Sequence, residues 1–156
     1  MYIRHDASID QPAHSVRREL LEPPDGWLPL PISRTLGDRR YVVRVGFRAV
    51  GARISKEVEL TVGPPEAPGQ WLVVPVSWRA TGPEQLFPIL DGKLTVQPLG
   101  PHSCRVWMGA IYKPPLGGFG RELNDLALHN VAEATIQEFV DGLCARLSAL
   151  AMGRPG

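Results

Sequence analysis

The last third of the chain constrains the fold most. Leu128, Ala132, Ile136, Phe139, Leu143, Leu147 and Leu150 recur at spacings of three and four. At about 100° per residue they draw one continuous apolar stripe along a helix that runs from after Gly120 to about Leu150. A helix with such a stripe owes its stability to an apolar surface that covers it. The rest of the chain has to supply that surface.

It supplies strands. Tyr41, Val43, Val45, Phe47 and Ala49 share one parity, and Arg40, Arg44, Gly46 and Arg48 share the other, the period of two of a half-buried strand. With Val50 and Gly51 at the centre of a turn, opposed positions have numbers that sum to 101. Phe47 then faces Ile54, Val43 faces Val58, Tyr41 faces Leu60, and on the other side Arg44 faces Glu57. Further strands run from Trp71 to Ala80, Phe87 to Gln97 and Ser103 to Tyr112, punctuated by Gly82, Pro83, Gly100 and Pro101. This reads as an antiparallel meander. Pro75 and Pro88 cannot donate to a ladder, so they predict bulges or edge positions.

The chain opens with another strand: Ile3, Ala7 and Ile9 alternate with Arg4, Asp6 and Ser8, His5 being the exception. Asp10 as N-cap, Pro12 in the first turn and Ala13, Val16, Leu20 at helical spacing predict a short helix that stops before Pro23 and Pro24. Trp27, Leu28 and Leu30 lie among prolines, and the pattern does not decide whether a strand lies between Trp27 and Tyr41.

At 156 residues, 44% of them apolar, the chain suits one core, and a single domain over 1–156 is expected. Seventeen basic and sixteen acidic side chains leave a net charge of +1, without the electrostatic footprint of a nucleic-acid binder. No apolar run approaches the ~18 to 20 residues of a membrane span, and the first ten residues lack a leader pattern, so a cytoplasmic protein with no membrane span is expected. Cys104 and Cys144 have no Cys or His at ligand spacing and read as small buried hydrophobes. Neither a metal nor a cofactor is expected.

One strand, a short helix, a meander and a long final helix resemble the helix-grip fold of the START-like superfamily, also called SRPBCC, which includes birch-pollen-type allergens, lipid-transfer domains and polyketide cyclases. The resemblance spans nearly the whole chain. It is carried by Ile9, Asp10, Pro12, Val16, Leu20 and Trp27, by the stretch from Leu86 to Gly92, and by the loop from Pro114 to Gly120. It implies an α+β fold in which six or seven antiparallel strands wrap around the C-terminal helix, with short helices after the first strand. It also implies a cavity between sheet and helix that holds an apolar small molecule.

The residues point to a similar place by themselves. A sheet whose inner parity carries Phe47, Trp78, Met108 and Tyr112, closed by one helix, has few partners to fill its centre. Such pockets are mostly apolar with a few placed polar groups. His129 lies within about 40° of the line through Ile136 and Leu143, with Asp125 one turn earlier. A hydrogen bond between the two would hold one imidazole tautomer; the other reading is a helix start that emerges into water. Lys56 shares the parity of Ile54 and Val58 opposite Val45, where it would meet a ligand's acidic group or extend its stem to the sheet edge. Gly117, Gly118 and Gly120 lack a following Gly-Lys-Ser/Thr and read as a gate or a helix approach, not a phosphate loop.

The function expected is binding of a hydrophobic or aromatic small molecule, with Phe47, Lys56, Trp78, Met108, Tyr112, Asp125 and His129 around it and a homodimer left open. Two alternatives remain: a polyketide cyclase or aromatase-like enzyme that moves protons with His129 in the same cavity, and a module that binds a protein partner there.

Overall fold

The computed structural model describes residues 2–49, 52–81, 89–113 and 125–153; the side chains of 47–49, 52–54 and 125–128 lie outside that description. Ten elements follow in order among the described residues. These are strand β1 (Tyr2–Ile9), helix α1 (Ala13–Leu20), a 3-10 turn (Pro24–Gly26), β2 (Ile32–Gly37), β3 (Arg40–Ala49), β4 (Ala52–Val62), β5 (Leu72–Ala80), β6 (Ile89–Pro98), β7 (Cys104–Lys113) and helix α2 (Asp125–Met152). The strands form one antiparallel sheet in the order β1-β7-β6-β5-β4-β3-β2. This is the expected α+β helix-grip arrangement, with seven strands.

The seventh strand is β2, between Trp27 and Tyr41. It forms a hairpin with β3 across Asp38 and Arg39, in an irregular register, and from Ser33 onward its residues are exposed. An edge strand with so little to bury carries no alternating signal. The β3–β4 register is the one expected: Tyr41 opposes Leu60, Val43 opposes Val58, Arg44 opposes Glu57 and Phe47 opposes Ile54. The helix α1 departs from expectation at its start. Pro12, not Asp10, occupies the cap position, and its carbonyl accepts the N–H groups of Ser15 and Val16.

Pro75 lies inside the sheet, because β5 runs between β4 and β6. Its backbone faces β4 where that ladder ends: the Gly63 N–H donates to the Pro75 carbonyl at 2.8 Å, and proline has no N–H to return. Arg39 makes up the deficit, its Nη2 donating to the Gly63 carbonyl at 3.1 Å, while its Nε bonds the Val62 carbonyl on the β3 side at 2.9 Å. Pairing resumes between Glu66 and Val73, leaving Pro64 and Pro65 opposite Val74. A proline in the middle of the sheet is therefore accommodated by the expected kind of irregularity. Pro88 and the glycines at 117, 118 and 120 lie outside the described residues.

The inner face of the sheet is a continuous apolar floor. Val43, Val58, Leu60, Leu72, Val74, Leu94, Val96, Val106 and Met108 are buried on it, and α2 lays Ala132, Ile136, Phe139, Leu143 and Leu147 against it. These are five of the seven stripe residues; Leu150 is partly buried. Trp27 closes the floor below α1, its indole N–H donating to the Glu22 carbonyl at 3.1 Å, so a large ring is buried without an orphaned donor. No helix among the described residues is long and apolar enough to cross a membrane.

Candidate functional site

Near the start of α2 the inner face ends in a cross-strand row. Leu60 opposes Trp78, Trp78 opposes Leu90, and Leu90 opposes Tyr112, all of them buried. Met108 lies further along the same face of β7, opposite Leu94. Period-two alternation alone puts these side chains together. The Trp78 ring meets Phe139 of α2, centroids 5.7 Å apart. Three of the expected site residues, Trp78, Met108 and Tyr112, are thus buried on one wall. Phe47 occupies a backbone position opposite Ile54, with its side chain outside the description. Lys56 is half-buried opposite Val45, and Asp125 is the first residue of α2, its side chain likewise outside the description.

His129 joins this wall to the solvent. The Tyr112 hydroxyl lies 3.2 Å from His129 Nδ1, and the two rings are 5.9 Å apart, tilted by 56°. On the far side of the imidazole, Nε2 lies 3.3 Å from Oε2 of Glu133, one turn later on α2. A carboxylate only accepts, so Nε2 carries the proton that bonds Glu133, Nδ1 is left as an acceptor in the neutral ring, and the Tyr112 O–H donates to it. The sequence pointed to Asp125, four residues before His129, whose side chain lies outside the described residues; among the described ones the carboxylate that meets the ring is that of Glu133, four residues after. Both satisfy the same helical spacing. The signal for Glu133 was therefore present and equal.

Other polar features flank the fold. His5 Nε2 lies 3.0 Å from Asp141 Oδ1, tying β1 to α2. On the outer face of the sheet a groove of about 530 Å³ is formed where Thr61 and Ser77 leave a low floor between Arg40, Arg79 and Lys113. Glu59 pairs there with Arg40 and lies 4.0 Å from Arg79. The hydrogen bond from Arg40 holds its carboxyl below the ordinary value. Arg44 and Glu57 approach to 3.8 Å on the same face. Cys144 lines a second groove between the end of β1 and the end of α2. Burial pushes both the Cys104 and the Cys144 thiol up to about 11. Both cysteines are free, and among the described residues no three His, Cys, Asp or Glu gather as a metal site.

No family model matches the sequence, and none of the curated proteins matches it. Solved structures do. A protein from Thermus thermophilus is similar over 97% of this chain and 99% of its own, with 20% identity and a TM-score of 0.57. The Zhui aromatase/cyclase from Streptomyces sp. R1128 is similar over 100% of this chain and 98% of its own, with 15% identity and a TM-score of 0.61. Norcoclaurine synthase from Thalictrum flavum, in complex with dopamine and hydroxybenzaldehyde, is similar over 100% and 88%, with 13% identity and a TM-score of 0.60. At these identities the likeness is one of fold: a seven-stranded antiparallel sheet with a long C-terminal helix, the helix-grip arrangement.

Proposed function

We propose that the chain binds a hydrophobic or aromatic small molecule between the inner face of the sheet and α2, with its polar end at Tyr112 and His129. The observation that carries this reading is the Tyr112–His129 hydrogen bond at the edge of an otherwise apolar wall. A phenol and an imidazole beside Trp78, Leu90 and Met108 form the combination a small-molecule site needs: apolar surface for affinity and a few polar atoms for orientation. The fold supports it, since norcoclaurine synthase holds dopamine and hydroxybenzaldehyde on the same scaffold. Phe47, Lys56 and Asp125 belong to the proposed site by their backbone positions on β3, β4 and α2.

Native mass spectrometry of the chain purified from its own host tests the proposal. A retained small molecule of aromatic or apolar composition, lost on denaturation, is the expected result. The bare chain mass under conditions that preserve the fold, with no gain in mass or thermal stability from any aromatic compound in a fragment screen, contradicts it.

A further inference from the structure

The sheet has two edges, β1 and β2. A free edge offers a row of N–H and carbonyl groups to a further strand. The β2 edge is poorly made for that, because its register against β3 shifts twice within six residues and such irregularities spoil the next pairing. The β1 edge has no such defence in its backbone. Its eight residues pair with β7 in one unbroken register, from Tyr2 opposite Ile111 to Ile9 opposite Cys104. Among the described residues no backbone bond leaves its other side. On the inner face His5 of β1 meets Asp141 of α2, while Tyr2, Arg4, Asp6 and Ser8 stay exposed on the outer face.

What this edge fits is set by its sequence. A strand that pairs antiparallel with its own copy about a two-fold axis opposes residues whose numbers have a constant even sum, and both members of a pair share a face. An axis at Arg4 puts arginine against arginine, and an axis at Asp6 puts aspartate against aspartate. Like charges directly opposed destabilise a ladder. With the axis at His5, Arg4 opposes Asp6 of the second copy and Asp6 opposes its Arg4, so two opposite-charge pairs form at once. Ile3 then meets Ala7, and Tyr2 meets Ser8. Axes nearer either end pair fewer residues.

We propose that two copies of the chain join β1 to β1 about a two-fold axis at His5, making one continuous antiparallel sheet with seven strands from each. Main-chain hydrogen bonds supply the affinity, and the Arg4 and Asp6 pairs fix the register. Both side chains are available for this. Asp6 lies 3.7 Å from Arg105 and Arg4 lies 4.6 Å above the Trp107 ring, exposed contacts that hold a side chain weakly.

The test is sedimentation equilibrium of the whole chain, with amide hydrogen exchange read by mass spectrometry over a range of chain concentrations. Wild type should pass from monomer to dimer as concentration rises, and over the same range β1 should gain protection while β2 does not. Asp6→Arg, which leaves only arginines around the axis, should weaken the dimer at least about tenfold. The swap Arg4→Asp/Asp6→Arg restores both pairs in reverse and should return it to within about threefold of wild type. A chain that stays monomeric up to its solubility limit overturns the proposal and leaves Arg4 and Asp6 as guards of a single edge. A dimer that Asp6→Arg leaves unchanged, or whose loss the swap does not repair, overturns it as well, as does a dimer in which β1 exchanges as freely as in the monomer. The exchange measurement needs no variant, so it decides even if Asp6→Arg fails to fold.

Discussion

Trp78 and Phe139 stack across the core with ring centroids 5.7 Å apart and planes tilted by 41°, so that the middle of α2 is fixed against β5. The helix cannot slide along the sheet without separating two buried rings. That contact holds the preceding turns of α2, and with them His129, over β7.

Phe139→Ala removes one half of this contact from a site where the ring is fully buried. Loss of a buried phenyl costs about 3 to 5 kcal/mol. Chemical denaturation should show that loss as a lower midpoint with an unchanged slope. A midpoint equal to wild type would contradict the placement of α2.

Arg39 serves two backbone carbonyls at the end of β4, that of Gly63, which meets no N–H at Pro75, and that of Val62 on the β3 side. Arg39→Ala should destabilise the chain by about 1 to 3 kcal/mol, the cost of buried acceptors without a donor. Arg39→Lys, which keeps the charge but not the forked geometry, should recover only part of it. Gly63→Ala should be harmful for a related reason, since its Cβ would stand 2.9 Å from that of Pro75 and overpacking costs about 1 to 3 kcal/mol.

Both thiols are held protonated by burial, up to about 11. At pH 8 the thiolate fraction of each is about a hundredfold below that of an ordinary cysteine near 9, so alkylation of the native chain by iodoacetamide should be slower by about that factor. The sign for stability follows. The folded values lie above the unfolded ones, so the contribution is whole below pH 9 and is lost as pH rises from about 9 towards 11. A melting temperature that climbs through that window in wild type, but not in Cys104→Ala/Cys144→Ala, would contradict it.

The parities of the two sheet faces, the β3–β4 register and the stripe on α2 were legible because each follows from a period of two or about 3.6. The strand β2 was not, since Ser33, Arg34, Thr35 and Leu36 lie at an exposed edge where no alternation is required. Trp78, Met108 and Tyr112 could be placed on one wall from parity alone. The contact of His129 with Glu133 was not singled out, because Asp125 and Glu133 flank the histidine symmetrically along the helix and spacing alone favours neither. The outer groove depends on side-chain heights across five neighbouring strands, information that no single segment carries.

His129→Gln leaves the helix intact and replaces the imidazole beside the Tyr112 hydroxyl by an amide whose oxygen can still accept its proton. Binding of an aromatic ligand with a polar head, such as 2-naphthol, should weaken by more than about 1 kcal/mol, the scale of one hydrogen bond, with little change in melting temperature. Equal affinity in wild type and variant, measured by calorimetric titration, would remove His129 from the site.

The location of the ligand is the centre of this account, and residues on β6 and β7 report on it directly. Leu94 and Met108 are buried on the inner face, away from the outer groove, which Ile89 and Ile111 line. In a methyl-labelled chain titrated with 2-naphthol, the methyl groups of Leu94 and Met108 should shift and show contacts to the ring protons, while those of Ile89 and Ile111 stay in place. Shifts and contacts confined to Ile89 and Ile111 would put the ligand on the opposite side of the sheet and contradict the site proposed.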